Sequence, residues 1–162
     1  MIEIAFEDAE SPLALDLLGR YYAELDSRFP GGFDVSQTVA APPDELRAPH
    51  GAFLVARLDR IAVACGAVRK LDQDLAEIKR MWVSPTARGR GVARALLAAL
   101  EDAARTLGST CVRLDTAASL REALGLYRSA GYVEIPAYND NRYAAHWFEK
   151  RIYLNASGAP AR

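Results

Sequence analysis

Cysteine and histidine are scarce in this chain, with two of each among 162 residues. His50 and His146 stand too far apart in sequence to suggest a metal site, so no metal is expected. Cys65 lies inside an apolar strand-like run and Cys111 begins another, which reads as small buried hydrophobes in a reducing compartment. With no histidine near either cysteine in sequence, a catalytic thiol or a disulfide is the weaker alternative. No apolar run approaches the roughly 20 residues that span a bilayer, and the N-terminal stretch has no signal-peptide pattern. A cytoplasmic protein with no membrane partner is expected. Charge of one sign is missing too. The formal net charge is −1, which argues against nucleic acid as a partner of the whole chain. At 51% hydrophobic and 25% charged residues, the composition is that of one globular domain.

What is there begins mid-chain, at Arg88-Gly89-Arg90-Gly91-Val92-Ala93. This stretch separates a strand-like run, Glu77 to Val83, from a helix-like run, Val92 to Leu107. Two glycines allow a tight turn, and a helix starting there points its unpaired N–H groups and the positive end of its dipole at the turn. Lys79, Arg80, Arg88, Arg90 and Arg94 are cationic, and no acid lies between Ile78 and Arg94. A pyrophosphate suits such a cradle, since several backbone donors converge on it. The alternative is a plain glycine turn flanked by solvated arginines. No Lys-Ser or Lys-Thr pair follows, which excludes a Walker loop. Arg94 stands where the dinucleotide fingerprint requires its last glycine.

Along the chain, Ile2 to Phe6 reads as a strand and Ser11-Pro12 as the start of a helix over 12–26. Residues 27–51 carry Pro30-Gly31-Gly32 and Pro42-Pro43 and read as loop, with a helical turn near Asp44 to Arg47. Ala52 to Leu58 and Ile61 to Leu71 read as a hairpin, in which Gly66 marks a weak point or a bulge. Leu75 to Val83 is the strand before the cradle. A strand at Cys111 to Asp115, a helix at Ser119 to Ala130 and strands at Tyr132 to Ile135 and His146 to Tyr153 complete a single α/β domain with a mixed sheet. The domain is expected over 1–154, and 155–162 is small, polar and expected to be a flexible tail.

Glu77-Ile-Lys-Arg-Met-Trp-Val83-Ser-Pro85-Thr-Ala-Arg88-Gly-Arg-Gly91-Val-Ala93, followed by Leu124-Gly-Leu126-Tyr127-Arg-Ser-Ala-Gly131-Tyr132, resembles the GNAT superfamily of acyl-CoA-dependent N-acetyltransferases. Arg88, Gly91 and Ala93 satisfy that family's [QR]-x-x-G-x-[GA] loop, and the order of elements agrees from Ile2 to about Tyr153. The resemblance implies a mostly antiparallel sheet of about seven strands, splayed at its centre and flanked by about four helices. It implies acetyl-CoA as cosubstrate, with the pyrophosphate on Arg88, Gly89, Arg90, Gly91, Val92, Ala93 and Arg94. The pantetheine arm would pair with the backbone at Met81 and Val83, and an N–H near Met81 would face the thioester oxygen. Tyr127 falls at the position whose hydroxyl often protonates the departing thiolate, the alternative being a packing role. The chain departs from the pattern at Leu120, where many relatives carry Asn contacting the pantetheine region.

Glu77 lies eleven residues before Arg88, the offset at which histone acetyltransferase relatives hold a general base. Period-two alternation would put Glu77, Lys79, Met81 and Val83 on one face. The alternative for Glu77 is a strand-end carboxylate paired with Lys79 or Arg80. A base matters most for a Lys-like amine, which costs roughly 4.6 kcal/mol to deprotonate at pH 7 against about 1 for an α-amino group.

The acceptor is expected between the first helix, the loop with Phe29 and Phe33, and the segment after Ile135. There Tyr138, Asn139, Asp140, Asn141 and Tyr143 offer polar groups to a small amine, although turn chemistry also favours Asn and Asp. His146 reads as a satisfied strand residue. The expected reaction is acetyl transfer to a small-molecule primary amine such as an amino acid or polyamine, by direct attack in a ternary complex. A monomer or homodimer is expected. The alternatives are a protein lysine or N-terminal acetyltransferase and a non-catalytic acyl-CoA sensor.

Overall fold

The computed structural model describes residues 1–153; the tail expected over 155–162 lies outside the described residues. Seven strands form one sheet: β1 (Ile2–Phe6), β2 (Gly51–Leu58), β3 (Ile61–Lys70), β4 (Leu75–Val83), β5 (Cys111–Thr116), β6 (Val133–Ile135) and β7 (His146–Arg151). Their order is β1-β2-β3-β4-β5-β7-β6, antiparallel throughout except for β4 and β5. That parallel pair needs a crossover, which α2 (Val92–Thr106) supplies.

Among the described residues there are three α-helices, against about four expected. α1 (Pro12–Arg28) and α3 (Arg121–Ser129) are the others, while Val35–Gln37, Pro43–Leu46 and Pro85–Ala87 form only single 3-10 turns. Prolines and the Gly31-Gly32 pair keep the segment between α1 and β2 from winding further. α1 starts as its sequence demands: the Ser11 hydroxyl accepts from the Ala14 N–H and Pro12 occupies the first turn.

The central strands of the sheet are buried on both faces. Leu17 and Leu18 of α1 pack with Phe53, Val55, Cys65, Ala67 and Trp82 on one face. Leu96, Leu97 and Leu100 of α2 pack with Leu54, Val68, Ile78, Leu114 and Phe148 on the other. Gly66 permits this second contact, because a Cβ there would sit 2.7 Å from Leu100 Cδ1. α2 is tied further to the sheet by buried Glu101, which accepts from Lys150 Nζ at 2.9 Å and from the Tyr132 hydroxyl at 3.2 Å.

Candidate active site

The site is made by a break in β4. Opposite Gly66 the register slips: Ala67 pairs with Lys79, yet Cys65 pairs with Trp82, so β4 carries one extra residue. Arg80 sits in the bulge with φ +55°, a left-handed conformation uncommon for a side chain of its size. Its carbonyl accepts a 3.6 Å contact from the Cys65 thiol. The bulge reverses the alternation expected from the sequence. Glu77, Lys79 and Trp82 share the face that carries α1, while Met81 and Val83 turn to the face that carries α2.

A bulged strand bends and twists more strongly. β4 and β5 accordingly pair only at Leu75–Cys111, Ala76–Val112 and Glu77–Arg113, and beyond Glu77 they part. Two cavities open along the gap. They share Tyr21, Met81, Leu120, Ala123 and Tyr127, so they adjoin across these side chains.

The first cavity, of about 290 Å³, lies at the start of α2. Met81, Val83, Arg88, Gly89, Gly91, Val92, Ala93 and Arg94 all line it; of the expected cofactor residues only Arg90 does not. Gly89 and Gly91 have φ of +77° and +83°, and a Cβ on either would point into open space. Among the described residues no protein group accepts from the N–H of Gly89, Arg90 or Gly91. An open cradle of free donors at a helix start suits a diphosphate. The charges divide unequally, however. Arg88 Nη2 donates to both carboxylate oxygens of Glu24 at 2.7 Å, and its Nε donates to Val83 O at 3.1 Å. Arg88 therefore braces the loop against α1 instead of offering a free charge. Arg28 extends the brace to α3 through Glu122 at 2.6 Å. Leu120, at the start of α3, makes no side-chain cap and presents an apolar wall to both cavities.

The second cavity, of about 110 Å³, opens on the α1 side. Of the residues expected around the acceptor, Phe29, Phe33 and Asn141 line it, joined by Tyr22, Arg80, Asp115 and Tyr143. Phe29, Phe33 and Tyr143 pack with ring centroids 4.8–6.1 Å apart, and Tyr22 stacks on Phe33 at 5.7 Å. Asn139 and Tyr138 do not line it. Asn139 Nδ2 donates to Asp115 at 2.7 Å, Asn141 Nδ2 donates to the other oxygen of Asp115 at 2.9 Å, and the Tyr138 hydroxyl donates to Glu77 at 2.7 Å.

Glu77 lines neither cavity. It is 1% exposed and accepts from Arg69 at 3.1 Å, with Lys79 at 3.5 Å. Arg69 in turn holds Ala40 O and Glu45. One buried carboxylate thereby fastens the 40–46 segment and the 136–143 segment to the sheet. His146 is paired with Glu134 at the sheet edge, outside both cavities.

Tyr127 stands where the cavities meet. Among the described residues its hydroxyl hydrogen-bonds only to Met81 Sδ, at 3.9 Å. Burial, with the negative charge of Asp115 adding to it, pushes its phenol above the ordinary range, so it keeps its proton.

Residues 18–132 match the Acetyltransferase (GNAT) family. The chain belongs to this family. An IAA acetyltransferase of Azospirillum brasilense is 34% identical over 126 residues, covering 77% of this chain and 82% of its own. The fold matches the crystal structure of a GNAT acetyltransferase from Staphylococcus aureus with TM-score 0.74 at 14% identity, over 93% of this chain and 99% of that one. It also matches the PaiA N-acetyltransferase of Thermoplasma acidophilum in complex with coenzyme A, with TM-score 0.69 at 15% identity, over 93% and 99%. As a GNAT member the chain is an acetyl-CoA-dependent N-acetyltransferase.

Three residues lining the second cavity escape sequence reasoning: Arg80, Asp115 and Tyr22. Arg80 shows in sequence only as one of several cations near the cradle. Asp115 reads as the end of a short buried strand, and Tyr22 follows the residue on the apolar stripe of its helix. Only the bulge and the parting of β4 from β5 bring the three to one cavity.

Proposed function

We propose that this GNAT enzyme acetylates the primary amine of a small molecule by direct attack in a ternary complex. One observation carries the proposal: the phenol of Tyr127 lies at the junction of a diphosphate-type cleft and a small, aromatic-walled cavity. Bound acetyl-CoA supplies an activated acetyl thioester. The N–H groups of Gly89, Arg90 and Gly91 and the first turn of α2 hold its diphosphate, with Arg94 adding charge. Met81 and Val83, on the edge of β4 left unpaired, flank its arm.

Transfer replaces one carbon–sulfur bond by one carbon–nitrogen bond. The ammonium gives up two protons in all, one to the solvent side of the acceptor cavity and the other matched by protonation of the departing thiolate. Tyr127 is placed for that second donation, since burial keeps its proton on and its one hydrogen-bond acceptor among the described residues is the weak thioether of Met81, at 3.9 Å. Glu77 acts as a positioning residue through the loops it fastens, because its carboxylate is engaged by Arg69, Lys79 and Tyr138 away from both cavities. Cys65 takes no part in covalent transfer, as burial pushes its thiol up to about 12.

Amine-dependent release of free thiol from acetyl-CoA tests the proposal. Release with small amines and no acetylated cysteine during turnover is expected. Release only with peptides would turn the reading to a protein acetyltransferase, and no amine-dependent release would turn it to an acyl-CoA sensor.

A further inference from the structure

The acceptor cavity holds two charges that no partner neutralises. Arg80 makes neither an ion pair nor a side-chain hydrogen bond among the described residues, whereas its cationic neighbours are all committed. Lys79 and Arg69 face Glu77, Arg88 and Arg28 hold Glu24 and Glu122, and Arg20 approaches Asp16 and Ser84. On the opposite wall, Asp115 accepts two amide bonds from Asn139 and Asn141, but no cation pairs with it among the described residues. Those amides orient the carboxylate and leave its charge in place. The wall residues come from β4 and β5, on the two sides of the gap.

Arg80 is held there at a cost. A non-glycine residue at φ +55° is strained, and strain of this kind persists where the surroundings enforce it. The bulge that imposes it also lines the cavity with this arginine.

Resting on the transfer reading above, we infer that the acceptor is an amino carboxylate whose carboxylate binds Arg80 and whose amine lies toward Asp115. A zwitterionic head group satisfies both walls at once. A polyamine would bring positive charge against Arg80 and Lys79. A protein N-terminus or a lysine side chain carries no carboxylate beside its amine. Tyr22, Phe29, Phe33 and Tyr143 face the same space and offer flat apolar surface to the remaining side group.

The test compares phenylalanine with phenethylamine, the same amine without its carboxylate, by thiol release in wild type and Arg80→Gln. Wild type should prefer phenylalanine by about 10- to 100-fold in kcat/KM, and Arg80→Gln should collapse that ratio toward one while Arg80→Lys restores part of it. Comparing the ratio between enzymes cancels the difference in basicity of the two amines. Equal use of both amines by wild type, or a ratio unmoved by Arg80→Gln, overturns the inference. Calorimetry of 3-phenylpropanoate on the coenzyme A-loaded wild type needs no variant to fold: competition with phenylalanine is expected, and its absence is a second refutation. If carboxylate binding depends on Arg80 yet no small amine releases thiol, the transfer reading falls and the pocket assignment stands. Thiol release with no carboxylate preference gives the reverse.

Discussion

Replacing Glu77 by Gln separates a structural carboxylate from a catalytic one. In the folded chain Glu77 and Arg69 form an ion pair with side chains 2% and 9% exposed. Gln keeps the shape and an acceptor for the Tyr138 hydroxyl, but its amide can turn a second donor toward the guanidinium. Breaking a buried pair from one side costs about 3–5 kcal/mol. Arg69 retains Glu45, whose side chain is 47% exposed, which places the loss near the lower end, about 3 kcal/mol. For a chain of this length that corresponds to a fall in Tm of about 6–12 °C. Thermal unfolding followed by circular dichroism reads the change. Removing the whole cluster, with Arg69→Met, Lys79→Met and Glu77→Leu together, should recover much of the loss, because none of the three charges is then left buried alone. Below the melting transition, Glu77→Gln should slow amines of high and low basicity by the same factor. A Tm within 2 °C of wild type, combined with selective slowing of the more basic amine, would refute the positioning role and return Glu77 to proton transfer.

Tyr127→Phe should lower kcat by about 100-fold or more with little change in Tm, since among the described residues its hydroxyl bonds only weakly to Met81 Sδ at 3.9 Å; an unchanged kcat in stopped-flow thiol release would exclude it as the proton donor. Gly91→Ala forces a side chain to φ +83° and costs about 1–2 kcal/mol, so coenzyme A should bind more weakly by calorimetry; unchanged affinity would remove this turn from the cofactor site. At alkaline pH the chain should lose stability. Burial raises the phenols of Tyr21, Tyr127, Tyr132 and Tyr138 above the ordinary range and pushes the Cys65 thiol up to about 12. The folded chain therefore keeps these protons longer than the unfolded chain, and stability present below pH 9–10 declines as pH rises. Each group contributes about 1.4 kcal/mol per pH unit within its window. Denaturant titrations that give the same midpoint at pH 8 and pH 11 would contradict this.

The cradle was legible in the sequence because it is local. Two glycines, the strand before them and the apolar stripe after them lie within about thirty residues, and backbone sterics and helix periodicity act over that range. The elements from Ile2 to Arg151 were readable for the same reason, to within a few residues at their ends. Neither the face on which Glu77 lies relative to Met81 nor the partners of Tyr138 and Asn139 could be read that way. One extra residue at Arg80, flanked by pairs with β3 at Lys79 and Trp82 and held by the contact from Cys65, inverts the alternation downstream, and no local pattern announces it. The sequence by itself determined the glycine turn at the start of α2, the family resemblance and the place of Tyr127 on α3. Only the tertiary structure decided that Arg88 is spent on Glu24, that Glu77 is buried in an ion pair, and that Arg80 and Asp115 face one cavity. Each of those facts depends on which residues distant in the chain meet when β4 parts from β5.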